Sequence, residues 1–531
     1  MSDSQLPRES IKLTDEQTRR FICDGVLVLD SNVAESIHKT IYKKIQWNNN
    51  REFNMGNNVL PRIPELQKVL DSPVIHGGLQ SVLGDDYILH PHRFMHASEP
   101  LDEDMRDIEL AGHENEPLMG KGSSGGSLWH QDSQSPLSRA RYHVPRLAMI
   151  LYFPQDTPIE RGPTRVIPGT HLQAGLQESN FSFAFVCDHV KAGTCFLIAF
   201  DIAHAAFPNR TDMSRYMFKF VFMRTSHPTA PSWDGGSEPW RTPGARRGQY
   251  EHTKAWSYIW DWMRGARQDV VDRDSDIDVL ISHLNGGDPK GGLNAIYELA
   301  SLGPQAVDPL IKSLLTHIGR PLERYRKDTK KRVPGEVCPR EWNEGAFALQ
   351  DEAYALGAIG SPAINALVTL LRHEDPWIKI NAAFALGEVG PCAAIVMFAL
   401  VEQLENEHHQ VVRAVLDAIG CIGIETSIAL PAIRRLLLQD NPAWQDKLMR
   451  GWTGESQVRF NAMCALLNSD IPVADIEDLL IGTFRDPNGY VPALAIEVLT
   501  RHGSPQGIRS ALTFLKTRRW DDSLANEQRV Y

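Results

Sequence analysis

Hydrophobic and polar positions along residues 10–225 predict helices followed by a series of short strands. Apolar residues recur at helical spacing after Thr14, which acidic residues follow, and Gly25 is the predicted stop of this first helix. Further helical segments are predicted at 33–47 and 64–83. Short apolar runs bounded by turn residues predict strands at 26–29, 87–95, 147–153, 166–167, 183–186, 194–200 and 216–223.

The last of these runs, residues 216–223, alternates with a period of two. Its aromatic residues share one face, and Met217, Val221 and Met223 share the other. Lys219 is the single charged residue in the run. A strand that is apolar on both faces is predicted to lie inside a sandwich or barrel.

From about residue 288 onward, one pattern recurs along the chain. The segment 381–387 aligns with 351–357 and with 414–420, and related segments begin at Asn294, Asn461 and Leu494. Each is followed by a turn and a second apolar helix. Helix pairs at this spacing resemble HEAT repeats, so we predict an α-solenoid of about six stacked repeats.

Two insertions, at 319–343 and 439–455, interrupt the repeats. Insertions of this kind are predicted to form loops on one face of a solenoid. The first is rich in Arg and Lys, which makes it a candidate contact for an anionic substrate, a partner or the other domain. A solvated run of charges is the alternative interpretation.

The segment between the strands and the repeats is rich in Pro, Gly and Trp over 226–248 and predicts a Trp-rich helix over 251–263. We therefore predict an N-terminal domain at 1–228, a linker and strapping helix at 229–287, and the solenoid at 288–531. The tryptophans of the joining segment are predicted to be buried. We accordingly expect the solenoid to pack on the first domain.

Composition narrows the classes of partner. A net charge of -11 and a pI near 6.0 give no reason to expect a nucleic-acid partner. Seven scattered cysteines without CxxC spacing predict neither a disulfide framework nor a thiolate zinc site. The N-terminus lacks the apolar core of a signal peptide, and no membrane span is predicted. A cytoplasmic location is the expectation.

The candidate chemistry lies in the segment 126–135, which places His130 and Asp132 two residues apart. In an extended strand these side chains point to one face and can bind one metal ion. A plausible third ligand is His204, which Arg215 follows eleven residues later. Two His and one carboxylate leave open positions, an arrangement that suits non-haem Fe(II) activating O2.

If His204 and Arg215 lie on a hairpin, both side chains are at the same mouth of the fold. A dicarboxylic acid could then chelate the metal at one end and meet the Arg215 guanidinium at the other. Arginines 139, 141, 146 and 161 lie near the motifs and could favour an acidic substrate, or they could form ion pairs.

Two other histidine motifs are weaker candidates. The sequence His373-Glu-Asp375 repeats the HxD spacing but lies in a turn between repeats, and we assign it to helix capping or surface chemistry. The pair His90-Pro-His92 lacks a Glu at the spacing of a cupin-type metal motif. We interpret it as two strand histidines near a pocket.

Taken together, Leu128-Trp-His-Gln-Asp132, the segment 161–171 and His204 with Arg215 resemble the phytanoyl-CoA dioxygenase family of Fe(II)/2-oxoglutarate-dependent oxygenases. The opening of the chain, from Leu13 to Leu29, is also similar to that family. The resemblance covers residues 10–225. One departure is Ala206, where many members carry Ser, which weakens the inference of a second hydrogen bond to the cosubstrate.

The resemblance implies a double-stranded β-helix, or jelly roll, with flanking helices and iron at its mouth. It implies that His130, Asp132 and His204 bind iron and that Arg215 anchors the far carboxylate of 2-oxoglutarate. Thr164 matches a position that contacts the cosubstrate in some members; a turn-stabilising hydroxyl is the alternative. The cofactors implied are Fe(II), 2-oxoglutarate and O2.

The resulting hypothesis is a dioxygenase that oxidises, most simply hydroxylates, an unactivated C–H bond of a small organic or lipid-like molecule. Desaturation, cyclisation and other outcomes use the same ligands and remain open. The alternative is a HEAT-repeat scaffold whose oxygenase-like domain is a sensor or inactive. The repeats could bind a protein partner or form a homodimer.

Overall fold

A computed structural model describes residues 10–49, 55–106, 129–132, 141–173, 176, 178–266, 276–285, 288–319, 349–445 and 452–517. The first helix, α1 (Asp15–Asp24), begins at Thr14, whose side chain accepts a hydrogen bond from the backbone of Gln17 in a reciprocal capping box. It ends at Gly25, which has a φ of 71°. The predicted start and stop of this helix are both confirmed.

The remaining helices of the N-terminal region are α2 (Glu35–Asn49), α3 (Val59–Arg62), α4 (Leu66–Leu70) and α5 (Pro73–Leu83). Its strands are β1 (Val26–Asp30), β2 (Ile88–Ser98), β3 (Leu147–Tyr152), β4 (Thr157–Pro158), β5 (Thr164–Ile167), β6 (Phe185–Val186), β7 (His189–Val190), β8 (Thr194–Ala199), β9 (Ala203–Ala206) and β10 (Arg215–Met223). Every strand predicted from the apolar runs is present, with β2 and β5 longer than expected.

The strands form an antiparallel roll. The larger sheet has the order β1-β8-β3-β10-β2, a three-stranded sheet has the order β6-β5-β9, and β4 pairs with β7. Met149, Met217 and Val221 of the larger sheet share one apolar cluster with Val166 of β5. The interior of the roll therefore lies between these two sheets, as the predicted jelly roll requires.

The other face of the larger sheet is covered by helices. Ile150, Leu197 and Phe218 belong to a core that also includes Ile41 of α2 and Leu79 of α5. This alternation between two buried faces confirms the period-two pattern predicted for residues 216–223.

The tryptophan-rich segment is largely buried and packs on α1. The indole nitrogen of Trp233 donates to Asp15 Oδ1 over 2.7 Å, and the Arg19 guanidinium lies 4.6 Å from the ring centre of Trp260. Trp260 belongs to α6 (Thr253–Met263), in which Trp256 is also fully buried. Burial is confirmed for four of the five joining tryptophans, and Trp240 is partly buried. The domain boundaries themselves stay a prediction.

The C-terminal region is built of paired helices. They are α7 (Ile277–Ser282), α8 (Pro289–Ser301), α9 (Val307–Leu314), α10 (Asp351–Ile359), α11 (Ile364–Leu371), α12 (Pro376–Val389), α13 (Met397–Glu402), α14 (His409–Ile422), α15 (Leu430–Leu438), α16 (Gly454–Leu467), α17 (Val473–Gly482), α18 (Tyr490–His502) and α19 (Pro505–Lys516). Each recurring sequence segment lies on the first helix of a pair, from α8 to α18. The basic insertion lies outside the described residues beyond Gly319, as does part of the second.

The repeats pack on the roll through the segment 141–147, which leads into β3. The Tyr354 hydroxyl donates to the carbonyl of Arg141 over 2.8 Å, and the His143 ring stacks on Tyr354 with 4.1 Å between ring centres. Arg146 and Glu388 form a buried ion pair at 3.0 Å. The expected packing of the solenoid on the first domain is confirmed.

A second contact joins the far end of the repeats to β2. His92 Nδ1 lies 3.1 Å from the Tyr490 hydroxyl, and the buried His90 ring packs edge-on against Phe460. The two strand histidines therefore belong to this contact between the regions. Asp375, from the other HxD sequence, caps α12 by accepting hydrogen bonds from the backbone of Trp377 and Ile378, as predicted.

Residues 376–405 form one helical stretch that contains an 18-residue window long and apolar enough to cross a membrane. Half of its apolar window is buried among the neighbouring repeats. That burial is the packing expected of a core helix in a solenoid, so no membrane span follows from it.

Candidate active site

The structure brings His130, Asp132 and His204 together at the mouth of the roll. One potential ligand atom from each lies within 4.8 Å of the others. The two imidazole centres are 4.3 Å apart, and His204 Nε2 is 3.8 Å from Asp132 Oδ2. Among the described residues, this is the only group of three or more His, Cys, Asp or Glu side chains so arranged.

Backbone contacts rather than a regular strand hold the HxD segment. His130 and His204 exchange hydrogen bonds between their backbones, at 3.2 and 3.0 Å, in an isolated antiparallel bridge. Between the two ligands, the buried Gln131 amide lies within 3.2 Å of three backbone carbonyls, which belong to Thr170, Gln173 and Asp201. The predicted extended strand is reduced to one bridge. The hydrogen bonds of Gln131 hold the backbone between the two ligands in place of further strand pairing.

A hydrogen bond to the backbone orients the His204 ring. Its Nδ1 lies 3.0 Å from the Ile202 carbonyl, so a proton on Nδ1 leaves the lone pair on Nε2 facing Asp132. Burial, with the neighbouring His130, lowers the pKa of His204 to about 4. The ring is therefore neutral at physiological pH, which is the form that binds a metal.

Asp132 is ionised although it is only 11% exposed. Burial alone would raise the pKa of this carboxyl, but the positive charge of Lys219, with His204 and His130, holds the pKa well below its usual range. Lys219 Nζ is 3.0 Å from Asp132 Oδ2 and 3.2 Å from Oδ1. A deprotonated Asp132 carboxylate beside the neutral His204 imidazole suits the donor set that a divalent iron ion takes.

Sequence reasoning did not assign Lys219 to the site. Lys219 was visible only as the one charge in an otherwise apolar strand. Its partner lies eighty-seven residues earlier, so the strand sequence alone could not reveal the contact.

Arg215 is buried, with 1% of its surface exposed, at the start of β10. Its Nε–H donates to the Gly162 carbonyl over 2.9 Å. The hairpin with His204 that was considered from the sequence does not form, because β9 pairs with β5 whereas β10 pairs with β2 and β3. Arg215 nevertheless alternates with Met217 and Lys219 on the interior side of β10, so it faces the roll from the opposite sheet.

Thr164 is 2% exposed and begins β5, directly opposite Ala206 of β9. Its hydroxyl has no hydrogen-bond partner among the described residues. A turn-stabilising role, the alternative considered from the sequence, would require such a bond. A buried hydroxyl without one is costly unless a ligand supplies the partner.

Three of the four arginines near the motifs have structural partners. Arg141 pairs with Asp201 at 3.0 Å, and Arg146 pairs with Glu388. Arg161 donates to the Tyr42 hydroxyl and to the Ser214 carbonyl. Arg139 lies outside the described residues. The three described arginines therefore provide no basis for an acidic substrate.

Comparison with known proteins agrees with the geometry. Residues 67–217 match the family model described as phytanoyl-CoA dioxygenase, and residues 353–420 match that of HEAT repeats. A search of curated proteins found no sequence match.

Similar solved structures include the non-haem α-ketoglutarate-dependent carbocyclase SnoK of nogalamycin biosynthesis, at 16% identity, with a TM-score of 0.30 and coverage of 40% of this chain and 85% of SnoK. EctD from S. alaskensis, in complex with 2-oxoglutarate and 5-hydroxyectoine, is 14% identical with a TM-score of 0.32, covering 46% of this chain and 88% of EctD. CytC3 with Fe(II) and α-ketoglutarate is 15% identical with a TM-score of 0.29, covering 41% and 79%. By the two family-model matches, the chain carries a phytanoyl-CoA dioxygenase (PhyH) domain at residues 67–217 and HEAT repeats at residues 353–420.

Proposed function

We propose that the protein is an Fe(II)- and 2-oxoglutarate-dependent dioxygenase that oxidises an unactivated C–H bond of a small organic molecule. The observation that carries the proposal is the convergence of His130, Asp132 and His204 within 4.8 Å at the mouth of the roll. When bound, iron and 2-oxoglutarate supply the activation of O2 and the oxidising power. Hydroxylation is the simplest outcome, and the substrate is predicted to be small or lipid-like.

The roles of the protein's own residues follow from their placement. His130, Asp132 and His204 would hold the iron, leaving coordination positions open. Arg215, oriented by Gly162, would bind the far carboxylate of 2-oxoglutarate, because a buried guanidinium binds a carboxylate tightly when both are shielded from water. Thr164 would donate its hydroxyl proton to the cosubstrate.

The test is anaerobic titration of the full chain with Fe(II) and 2-oxoglutarate. We expect the weak visible charge-transfer band that such a chelate gives, and we expect His130→Ala to lose it. Absence of the band in the wild type, or a full-strength band in His130→Ala, would contradict the proposal.

A second function, binding of a protein or self-association through the repeats, has one favourable observation. Ile395 and Phe398, close together before and in α13, are 82% and 69% exposed. Apolar side chains of this size are commonly exposed where a protein surface is to be covered. If they form a homodimer contact, Phe398→Asp will convert a dimer to a monomer in light scattering; a wild-type monomer would exclude the homodimer.

A further inference from the structure

The strand β10 carries two cations that face the interior of the roll, and the proposed function uses only one. Arg215 and Lys219 are four residues apart, about 13 Å along an extended strand. Met217, between them, belongs to the apolar interior. Lys219 is 7% exposed, so it is not a surface lysine. The side chain of its carboxylate partner, Asp132, is only 11% exposed.

The position of Lys219 relative to Asp132 places it beside the metal ligands. Its Nζ is within hydrogen-bond distance of both carboxylate oxygens. Adjacent ligand atoms around an octahedral ion are only about 3 Å apart when metal–ligand distances are near 2.1 Å. An ammonium group that contacts one ligand atom is therefore within reach of an oxygen atom at a neighbouring coordination position.

The charges of the loaded site also leave Lys219 available. Iron would bring two positive charges and Arg215 a third, while Asp132 and the two carboxylates of 2-oxoglutarate would bring three negative charges. Among the described residues lining the mouth, Lys219 is then a buried positive charge in excess. A buried charge is expensive unless an opposite charge and hydrogen bonds compensate it.

We propose that Lys219 is an anion-binding residue that holds a carboxylate beside the metal. The inference rests on the proposed function. The carboxylate has two possible sources, the metal-bound end of 2-oxoglutarate or an acidic substrate. The distance to Asp132 favours the cosubstrate, whereas the excess charge favours the substrate.

The experiment compares wild type, Lys219→Met and Lys219→Arg as full-length proteins loaded anaerobically with Fe(II). Lys44→Met is the matched control. Lys44 forms a lysine–carboxylate pair with Glu65, with 2.6 Å between Nζ and Oε1, and this pair is not part of the triad. The readouts are the visible band during titration with 2-oxoglutarate and the melting temperature with and without metal, which identifies a variant that fails to fold.

If the carboxylate belongs to 2-oxoglutarate, Lys219→Met will raise its Kd by roughly 10- to 100-fold, the effect of losing a buried charge-assisted hydrogen bond. Lys219→Arg will recover part of the affinity, and Lys44→Met will match the wild type. If the carboxylate belongs to the substrate, Lys219→Met will bind 2-oxoglutarate with the affinity of the wild type. Benzoate or octanoate will then perturb the wild-type band saturably and will have no effect on Lys219→Met.

The inference is wrong if Lys219→Met behaves as the wild type with 2-oxoglutarate and with both monocarboxylates. Lys219 would then serve only as the counter-ion of Asp132. A wild type that forms no band at all refutes the proposed function, and this inference with it. The two failures are therefore distinguishable.

Discussion

Two groups of buried charges in this molecule differ in how completely they are matched. At the contact between the two regions, Arg146 donates to a single partner, Glu388, at 3.0 and 3.2 Å. At the mouth of the roll, Asp132 is shared among Lys219, His130 and His204, and the ligand atoms of the triad lie within 4.8 Å of one another. The Arg146–Glu388 pair joins the two regions. The triad instead directs several potential ligand atoms to one place, and that makes it a candidate metal site.

The largest effect is expected from a substitution in the triad at the mouth of the roll. Asp132→Asn keeps the shape of the side chain but removes a charged ligand. Changes outside the ligand set already weaken metal binding by about 10- to 100-fold, so we expect Fe(II) affinity to fall by more than about 100-fold and turnover to be lost. Anaerobic calorimetry measures the affinity.

The second HxD sequence provides the matched control. Asp375→Asn alters a residue that caps α12 and accepts a hydrogen bond from the Gly319 backbone, with no role at the triad, and Asn is also a good capping residue. Iron binding equal to the wild type is expected for this variant. Equal losses in both variants would mean that the effect of Asp132→Asn is not local.

The pair between the two regions is broken by Glu388→Gln. We expect a loss of about 3–5 kcal/mol in the free energy of unfolding, because Arg146 is left buried without a counter-charge. Chemical denaturation measures the loss, and iron bound per folded molecule should not change. The double variant Arg146→Met with Glu388→Met should recover much of the stability; a single-variant loss below about 1 kcal/mol would show that the pair is not critical.

Acid should weaken the contact between the regions. Burial, with Arg146 and Arg224, lowers the pKa of His227 to about 4, from an ordinary value near 6.5. The unfolded chain therefore binds this proton at a higher pH than the folded chain. Stability is fully present above pH 6.5 and falls as the pH decreases towards 4, by up to about 3 kcal/mol for such a group.

The measurement is the melting temperature between pH 7.5 and pH 4.5. His227 packs on the Trp262 ring at the border of the two regions. His227→Gln should flatten the pH dependence, whereas the exposed His189→Gln should not. Identical pH profiles for all three proteins would argue against His227 as a contributor.

The smallest effect concerns Thr164. Thr164→Val removes the hydroxyl that has no partner among the described residues and keeps the volume. The Kd for 2-oxoglutarate, read from the visible band, should rise by about 3- to 10-fold. Thr164→Ser should stay near the wild type. No change in Thr164→Val would exclude the hydroxyl as a cosubstrate contact.

Local sequence signals predicted most of the fold. The helix start at Thr14, the alternation in 216–223 and the repeat spacing depend on neighbours in sequence, and all three are present in the structure. The hairpin considered for His204 and Arg215 does not form, because these sequential strands enter different sheets. That choice depends on packing between distant segments, which no local pattern encodes.

The site was predicted to a similar extent. The triad and Arg215 could be named because spacing and resemblance agree, although their assignment as ligands stays a proposal. Lys219 could not be named, since its importance depends on Asp132 across the roll. Thr164 became a stronger candidate for a cosubstrate contact only from the structure, in which its hydroxyl has no hydrogen-bond partner among the described residues.

The contact between the repeats and residues 141–147 has a practical consequence for anyone dissecting this protein. This stretch begins nine positions after Asp132, and its side chains rest on Tyr297, Tyr354 and Glu388. A fragment that ends at residue 228 would expose those side chains to solvent. The smallest autonomous piece should therefore include the repeats through α18, because Phe460 and Tyr490 also pack on β2. The helical array is better regarded as part of one folded unit than as an appended module.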